Sequence, residues 1–235
     1  MNDFYDVIVF SAHPDDAEFV MCGTMVKLVR SGFRLLHVSL TKAQMSTNGD
    51  VETRMAQFAK ASAIIGCAHI ALDLLDTDVQ NTRENRLLAA RLIRQHKPQV
   101  VFAPYHTNPA GELGGIANVD HYTTGALVRD AVKMARLQKT DPALPPHQIR
   151  KLYFYMLPAN VRPNLVVDVS NEMEQVIETI MTYENQVLHT HFNLSVKDRI
   201  LARHAAMGLE IGVRYAEGFV TDMALSLEPR HFFEL

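Results

Sequence analysis

The sequence predicts an α/β fold with a mostly parallel sheet flanked by helices, and three observations lead to it. Short, β-branched-rich apolar runs recur along the first half of the chain, helical patterns separate them, and each helical pattern stops at a glycine or just before a proline. Residues 6–12 (DVIVFSA), 34–40 (RLLHVSL) and 99–104 (QVVFAP) read as strands buried on both faces, and 68–72 (AHIAL) is a weaker run of the same kind. Of the intervening helical patterns, residues 17–31 stop at Gly32, 51–65 follow STNGD and stop at Gly66, and 84–95 stop before Pro98. A further helix begins near Asp120. Strands are expected at 150–157 and 164–169. Another helix starts near Asn171 with Met173, Val176, Ile177 and Ile180 along one face, and a last one spans 196–211. Alternating strand and helix imply right-handed crossovers and a Rossmann-like sheet whose ligands bind beyond the carboxyl edge of the strands.

Composition narrows the function. The 235 residues are 48% apolar, enough for a substantial core, and one domain spanning 1–235 is expected; the Pro-rich stretch 140–148 is too short to divide it. A net charge of −3, spread along the chain, leaves no basic face for nucleic acid. Cys22 and Cys67 are too sparse for a disulfide framework and read as small buried residues of a reducing compartment. The acidic start runs straight into a strand, with no signal-peptide pattern, and no apolar run approaches the ~20 residues of a membrane span. A cytoplasmic chain with no membrane partner is expected.

Chemistry is therefore sought just after the strands. The first such turn lacks the glycine fingerprint of dinucleotide binding and carries His-Pro-Asp-Asp instead. His13 and Asp16, three residues apart at a helix start, can converge on one ion, and imidazole with carboxylate suits zinc. Asp15 would then point elsewhere, free to act on a water. The competing reading is plain helix capping, for which aspartate is equally suited. A second cluster favours the metal: a long Gly/Asn/Pro-rich loop, 105–120, delivers Asp120 and His121 to a helix start. His121 is the natural third ligand, and two histidines with one carboxylate leave the open position of catalytic zinc. Asp120 either orients a ligand imidazole or caps the helix.

Other residues carry weaker signals. His106, directly after FAPY, lies in the right region. His37 and His204 read as packed core histidines, the latter on a stripe of Ile200, His204, Met207 and Ile211. His69 and His96 read as surface or element-end residues. His189 and His191 have a metal-compatible spacing with nothing to complete a set. Arg54 is either a surface arginine or an anion or sugar contact.

AHPDDAEF and CGT (12–24), VDH (119–121), LTKAQMSTNGDVETR, KPQVVFAPY, VVDVS and RYAEGF together resemble the LmbE-like, or PIG-L, zinc-dependent N-deacetylases. Among these, the set is most similar to the N-acetylglucosaminyl-malate deacetylases of bacillithiol synthesis. The resemblance implies one zinc ion per chain on His13, Asp16 and His121, Asp15 as general base, Arg54 facing an amino-sugar substrate, and a homo-oligomer, hexamers being frequent in that subgroup. The chain departs from the subgroup where its second motif normally reads Arg-His-Pro-Asp-His. Asn118 stands in place of the first histidine, and a neutral amide cannot serve as an imidazolium. His106 is the candidate replacement, and both residues are expected at the substrate. The loop before Asn118 is expanded, and an arginine expected after the third strand is absent. The alternatives are a metal-dependent amidase acting on a thiol conjugate or another acylated amine, and a non-catalytic sugar- or metal-binding module.

Overall fold

Val7–Ser11 forms β1, the centre of a five-stranded parallel sheet, and every residue in it is buried. The computed structural model describes residues 4–111, 118–188, 190–191 and 193–224. After β1 come α1 (Asp16–Arg30), β2 (Leu35–Thr41), α2 (Val51–Ile65), β3 (Ala68–Leu74), α3 (Arg83–His96), β4 (Val100–Pro104), α4 (Val119–Ala135) and β5 (Lys151–Tyr155). The strand order is β3-β2-β1-β4-β5 with every pairing parallel, as the alternating pattern predicts.

Both faces of β1 are covered because its side chains alternate. Val7 and Val9 pack with Ala17, Met21 and Met25 of α1, while Ile8 and Phe10 pack with Ile93 of α3 and Leu127 and Val128 of α4. The chain leaves β1 toward β2 and leaves β4 toward β5. The adjacent ends of β1 and β4 therefore form the crevice where an open α/β sheet binds ligands.

The second half departs more from the sequence pattern. β6 (Leu165–Asp168) pairs antiparallel with β9 (Ala216–Phe219), a strand the sequence reading missed, and this ribbon reaches the main sheet through an antiparallel bridge between Phe154 and Val220. Between them run α5 (Met173–Ile180), the short α6 (Glu184–Val187), the two-residue strands β7 (Thr190–His191) and β8 (Leu194–Ser195), and α7 (Val196–Leu209). Of the predicted α5 stripe, Met173, Val176 and Ile180 are buried against α1, and Ile177 is half-buried. The α7 stripe holds only in part. The helix ends at Leu209, and Ile211 is exposed beside Gly212.

Three smaller expectations are refined. β3 extends to Leu74 and is a half-exposed edge strand, which explains its weak apolar signal. His96 does end a helix, yet it is buried, with Tyr5 edge-on to its ring. Cys67 follows the α2 cap at Gly66 and is only half-buried, whereas Cys22 is fully buried in α1. Among the described residues, no helix is long and apolar enough to cross a membrane.

α1 contains an internal break. Met21 has φ −138° and ψ 20°, so the helix effectively starts again, and the Glu217 carboxylate of β9 accepts the Gly23 N–H at 2.8 Å and the Thr24 N–H at 2.7 Å. Buried helix-start N–H groups need such acceptors. His204 completes the arrangement, with Nε2 3.2 Å from Glu217 and Nδ1 2.8 Å from the Ile200 carbonyl oxygen. This is the packed histidine read from the sequence. A Cβ on Gly23 would fall 2.6 Å from the Val169 Cβ, so the close approach needs glycine.

Candidate metal centre and active site

The carboxyl ends of β1 and β4 bring the two sequence clusters together. A cleft of about 380 Å3 is lined by His13, Asp15, Asp16, Arg54, Asn118 and His121, joined by Asp76, Gln186 and the 43–47 segment. Asp16 opens α1. Its Oδ2 accepts the N–H groups of Ala12 (3.1 Å) and His13 (2.9 Å), and its Oδ1 lies 3.1 Å from His121 Nε2. His13 Nδ1 is 3.5 Å from Asp16 Oδ2. One donor atom from each of His13, Asp16 and His121 lies within 4.8 Å of the others.

These residues fit a divalent ion. Tetrahedral bonds of about 2.1 Å set donors about 3.4 Å apart, close to the separations found here. Behind His13, Nε2 faces Asp76 Oδ1 at 3.0 Å and Asp120 Oδ2 at 3.4 Å, so an N–H donated there leaves the Nδ1 lone pair toward Asp16 and the cleft. Three carboxylates around two imidazoles also concentrate negative charge. Burial opposes charge on His13, but Asp16, Asp120 and Asp76 outweigh it and push its pKa up to about 12. Burial likewise opposes charge on Asp16, yet His121 and His13 hold it well below the usual carboxylate range.

Asp15 is both a cap and more than a cap. It is the N-cap of α1 and shares a capping box with Glu18, yet its backbone sits at φ 114°, ψ −28°, a region that costs a non-glycine residue about 1–3 kcal/mol. Ala43 and Thr77, in the same cleft, also have positive φ. Strain of this kind concentrates at functional sites. The Asp15 carboxylate meets Arg54 Nη1 at 2.6 Å. Burial raises the Asp15 pKa to about 7 against the lowering effect of Arg54.

The remaining predicted residues divide. Arg54 is no surface arginine: it is buried, with Nη1 also donating to the Pro14 carbonyl (3.1 Å) and Nη2 to Ser46 Oγ (3.1 Å). Asn118 is at the cleft, and it caps α4, Oδ1 accepting the Asp120 N–H at 2.9 Å. The capping alternative for Asp120 is thereby corrected. Asp120 is inside the helix and fully buried, its carboxylate accepting from Thr77 N (2.6 Å) and Val79 N (3.2 Å) while reaching His13. His106 is not brought to the cleft lining. Its ring stacks on Tyr105, with Nδ1 3.4 Å from Arg129 and Nε2 3.3 Å from Asp222. Residues 112–117 of the expanded loop (108–117) and His189 lie outside the described residues, as does the His191 side chain.

Sequence reasoning missed Asp76, Glu18, Tyr183 and Gln186. Asp76 was within reach, because it lies two residues past the end of β3, where ligands of such a sheet bind. Glu18 carried a signal too, since an aspartate followed three residues later by glutamate is a capping-box pattern. Tyr183 and Gln186 come from a segment far along the chain with no local signature. Beneath the cleft, Ser11 Oγ is 3.0 Å from His37 Nε2, and His37 Nδ1 is 3.7 Å from Glu18 Oε1. The order imitates a nucleophile triad, but all three side chains are fully buried and the second distance exceeds a hydrogen bond.

Comparisons with known proteins find relatives along nearly the whole chain. Residues 8–132 match the family described as PIG-L: GlcNAc-PI de-N-acetylase. The chain is 31% identical to diacetylchitobiose deacetylase of Thermococcus kodakarensis, over 97% of this chain and 88% of that protein. A conserved protein from Thermus thermophilus superposes with a TM-score of 0.83 at 28% identity, covering 96% of this chain and 98% of that one. N,N'-diacetylchitobiose deacetylase from Pyrococcus horikoshii shares the fold, with a TM-score of 0.81 at 24% identity, covering 97% and 85%.

Proposed function

We propose that this chain, which belongs to the PIG-L de-N-acetylase family, is a zinc-dependent hydrolase that removes acetate from an N-acetylglucosamine-type amino sugar or its conjugate. The observation that carries this reading is the convergence of His13, Asp16 and His121 beside a strained, half-buried Asp15. It is supported by the relative that acts on diacetylchitobiose. His13, Asp16 and His121 would hold the ion, with Asp76 and Asp120 fixing the His13 ring. Zinc at such a site supplies Lewis acidity toward the acetyl carbonyl and makes water a nucleophile near neutral pH.

The protein's own groups do the rest. Asp15 takes a proton from the attacking water on its carboxylate and returns it to the departing amine nitrogen. Arg54, ion-paired to Asp15, keeps that carboxylate aimed into the cleft rather than engaging the sugar itself. Asn118 and Gln186, amides at α4 and α6 that both line the cleft, offer polar groups suited to sugar hydroxyls. A non-catalytic binding module would have little use for a strained carboxylate at its centre.

The test is an assay of the chelator-stripped and zinc-reloaded protein for free amine and acetate, using N-acetylglucosamine, its malate conjugate and N,N'-diacetylchitobiose. Zinc-restored release of equimolar acetate and amine from one of them is the expected result. Binding of these sugars without turnover, at full zinc content, contradicts the proposal.

A further inference from the structure

Asp15 is gripped at two points, and both grips lead to one tyrosine. Its backbone N–H donates to Glu18 Oε2 at 3.2 Å, and Glu18 Oε1 accepts the Tyr183 hydroxyl at 2.7 Å. Its carboxylate is held by Arg54 at 2.6 Å, and the Arg54 guanidinium lies over the Tyr183 ring, 5.8 Å from the centroid. Tyr183 is fully buried at the junction between a 3-10 turn (Met181–Tyr183) and α6, with Phe19 of α1 edge-on to its ring. Glu18 is fully buried as well.

An ordinary capping-box glutamate serves a helix end at the surface, where water satisfies its spare lone pairs. Here both Glu18 oxygens are used inside the protein, and a carboxyl and a phenol occupy space that apolar side chains could fill at no desolvation cost. What the polar pair achieves is directional. It fixes the N–H of a residue whose φ of 114° is intrinsically unfavourable, and so fixes where the Asp15 side chain points.

We propose that Glu18 and Tyr183 are positioning residues for the reaction, forming a buried relay of hydrogen bonds from the α5–α6 segment that locks Asp15 in its positive-φ turn against Arg54. The inference rests on the reading of Asp15 as the general base. Small misplacements of a catalytic group can cost about a hundredfold in rate, so loosening this lock is read in kcat.

Three variants test it on the zinc-loaded protein, each with metal content and thermal midpoint measured. Glu18→Met keeps the volume and removes both acceptors, Tyr183→Phe removes one oxygen, and Glu18→Gln retains an amide oxygen for the Asp15 N–H. Glu18→Met is expected to lower kcat about 100-fold and Tyr183→Phe about tenfold, with KM and metal content within about twofold of the parent. Glu18→Gln is expected to recover to within about threefold. If Glu18→Met does not fold, Tyr183→Phe decides alone. Wild-type kcat in Tyr183→Phe, beside an inactive Asp15→Asn, overturns the positioning role and leaves Asp15 as base. An active Asp15→Asn removes the base and this inference with it.

Discussion

Helix α1 has two beginnings, and the protein satisfies them in opposite ways. At the first, Asp15 and Glu18 supply the caps from the helix's own sequence, the backbone is strained, and the groups open into a cleft. At the second, past the break at Met21, the caps come from Glu217, almost two hundred residues away, and His204 seals the carboxylate from solvent. The same physical need, acceptors for orphan N–H groups, produces a strained, open cleft at one beginning and a structural clamp at the other. A carboxylate at a helix start is therefore no sign of function until its backbone, burial and partners are known.

The contrast is open to attack at both ends. The largest effect should come from the first: His121→Ala removes a ligand, and zinc binding together with at least about a thousandfold of turnover should be lost. The folded state should survive, because His121 lies at the cleft rather than in the core; a variant that keeps parental zinc content and rate would break the assignment. At the clamp the expectation reverses. Glu217→Ala leaves two N–H groups and a buried imidazole without their carboxylate and should cost about 3–5 kcal/mol in denaturant unfolding, while activity per folded molecule stays near parental.

The pH dependence of stability should separate the two regions further. His37, beneath the first beginning, is held neutral by burial, its pKa lowered to about 3. As pH falls through 6.5 the unfolded chain gains a proton that the folded one refuses, so about 1.4 kcal/mol is lost per unit until the pH nears 3. At the clamp, burial lowers the His204 pKa, but the hydrogen bond and charge of Glu217 outweigh this and raise it. Its contribution is complete below 6.5 and disappears as pH rises through the raised folded value. In urea titrations across pH, His37→Gln should flatten the acid limb and His204→Gln the alkaline one. Identical profiles in parent and variants would show that these histidines do not carry the effect.

This division also explains what could be read in the sequence. The parallel sheet was legible because β1, β2 and β4 are almost wholly buried and therefore read as short, mostly apolar runs. That His13, Asp15, Asp16 and His121 share one cleft was legible because the turns at a sheet's carboxyl edge are where ligands bind in such folds. β9 was not, since a four-residue strand containing Glu217 and Gly218 has neither the length nor the alternation of a strand signal. Nor was Tyr183, which reaches the cleft only through contacts with Glu18 and Arg54 in distant elements. For Arg54 the sequence located the right helix and the right cleft, but not the bonds of its guanidinium to Asp15, Pro14 and Ser46. Asn118 shows the reverse: read as the loss of a histidine, it proves to be the residue that starts the helix carrying His121.

Adjacent aspartates at the first helix start are proposed to do different work, Asp16 on the metal and Asp15 on the proton. Asp15→Asn tests it most directly, with zinc per chain and amine release measured on the same preparation. Full zinc content with amine release lowered about a thousandfold or more is the predicted result. Zinc lost along with activity, or activity retained, would contradict the division.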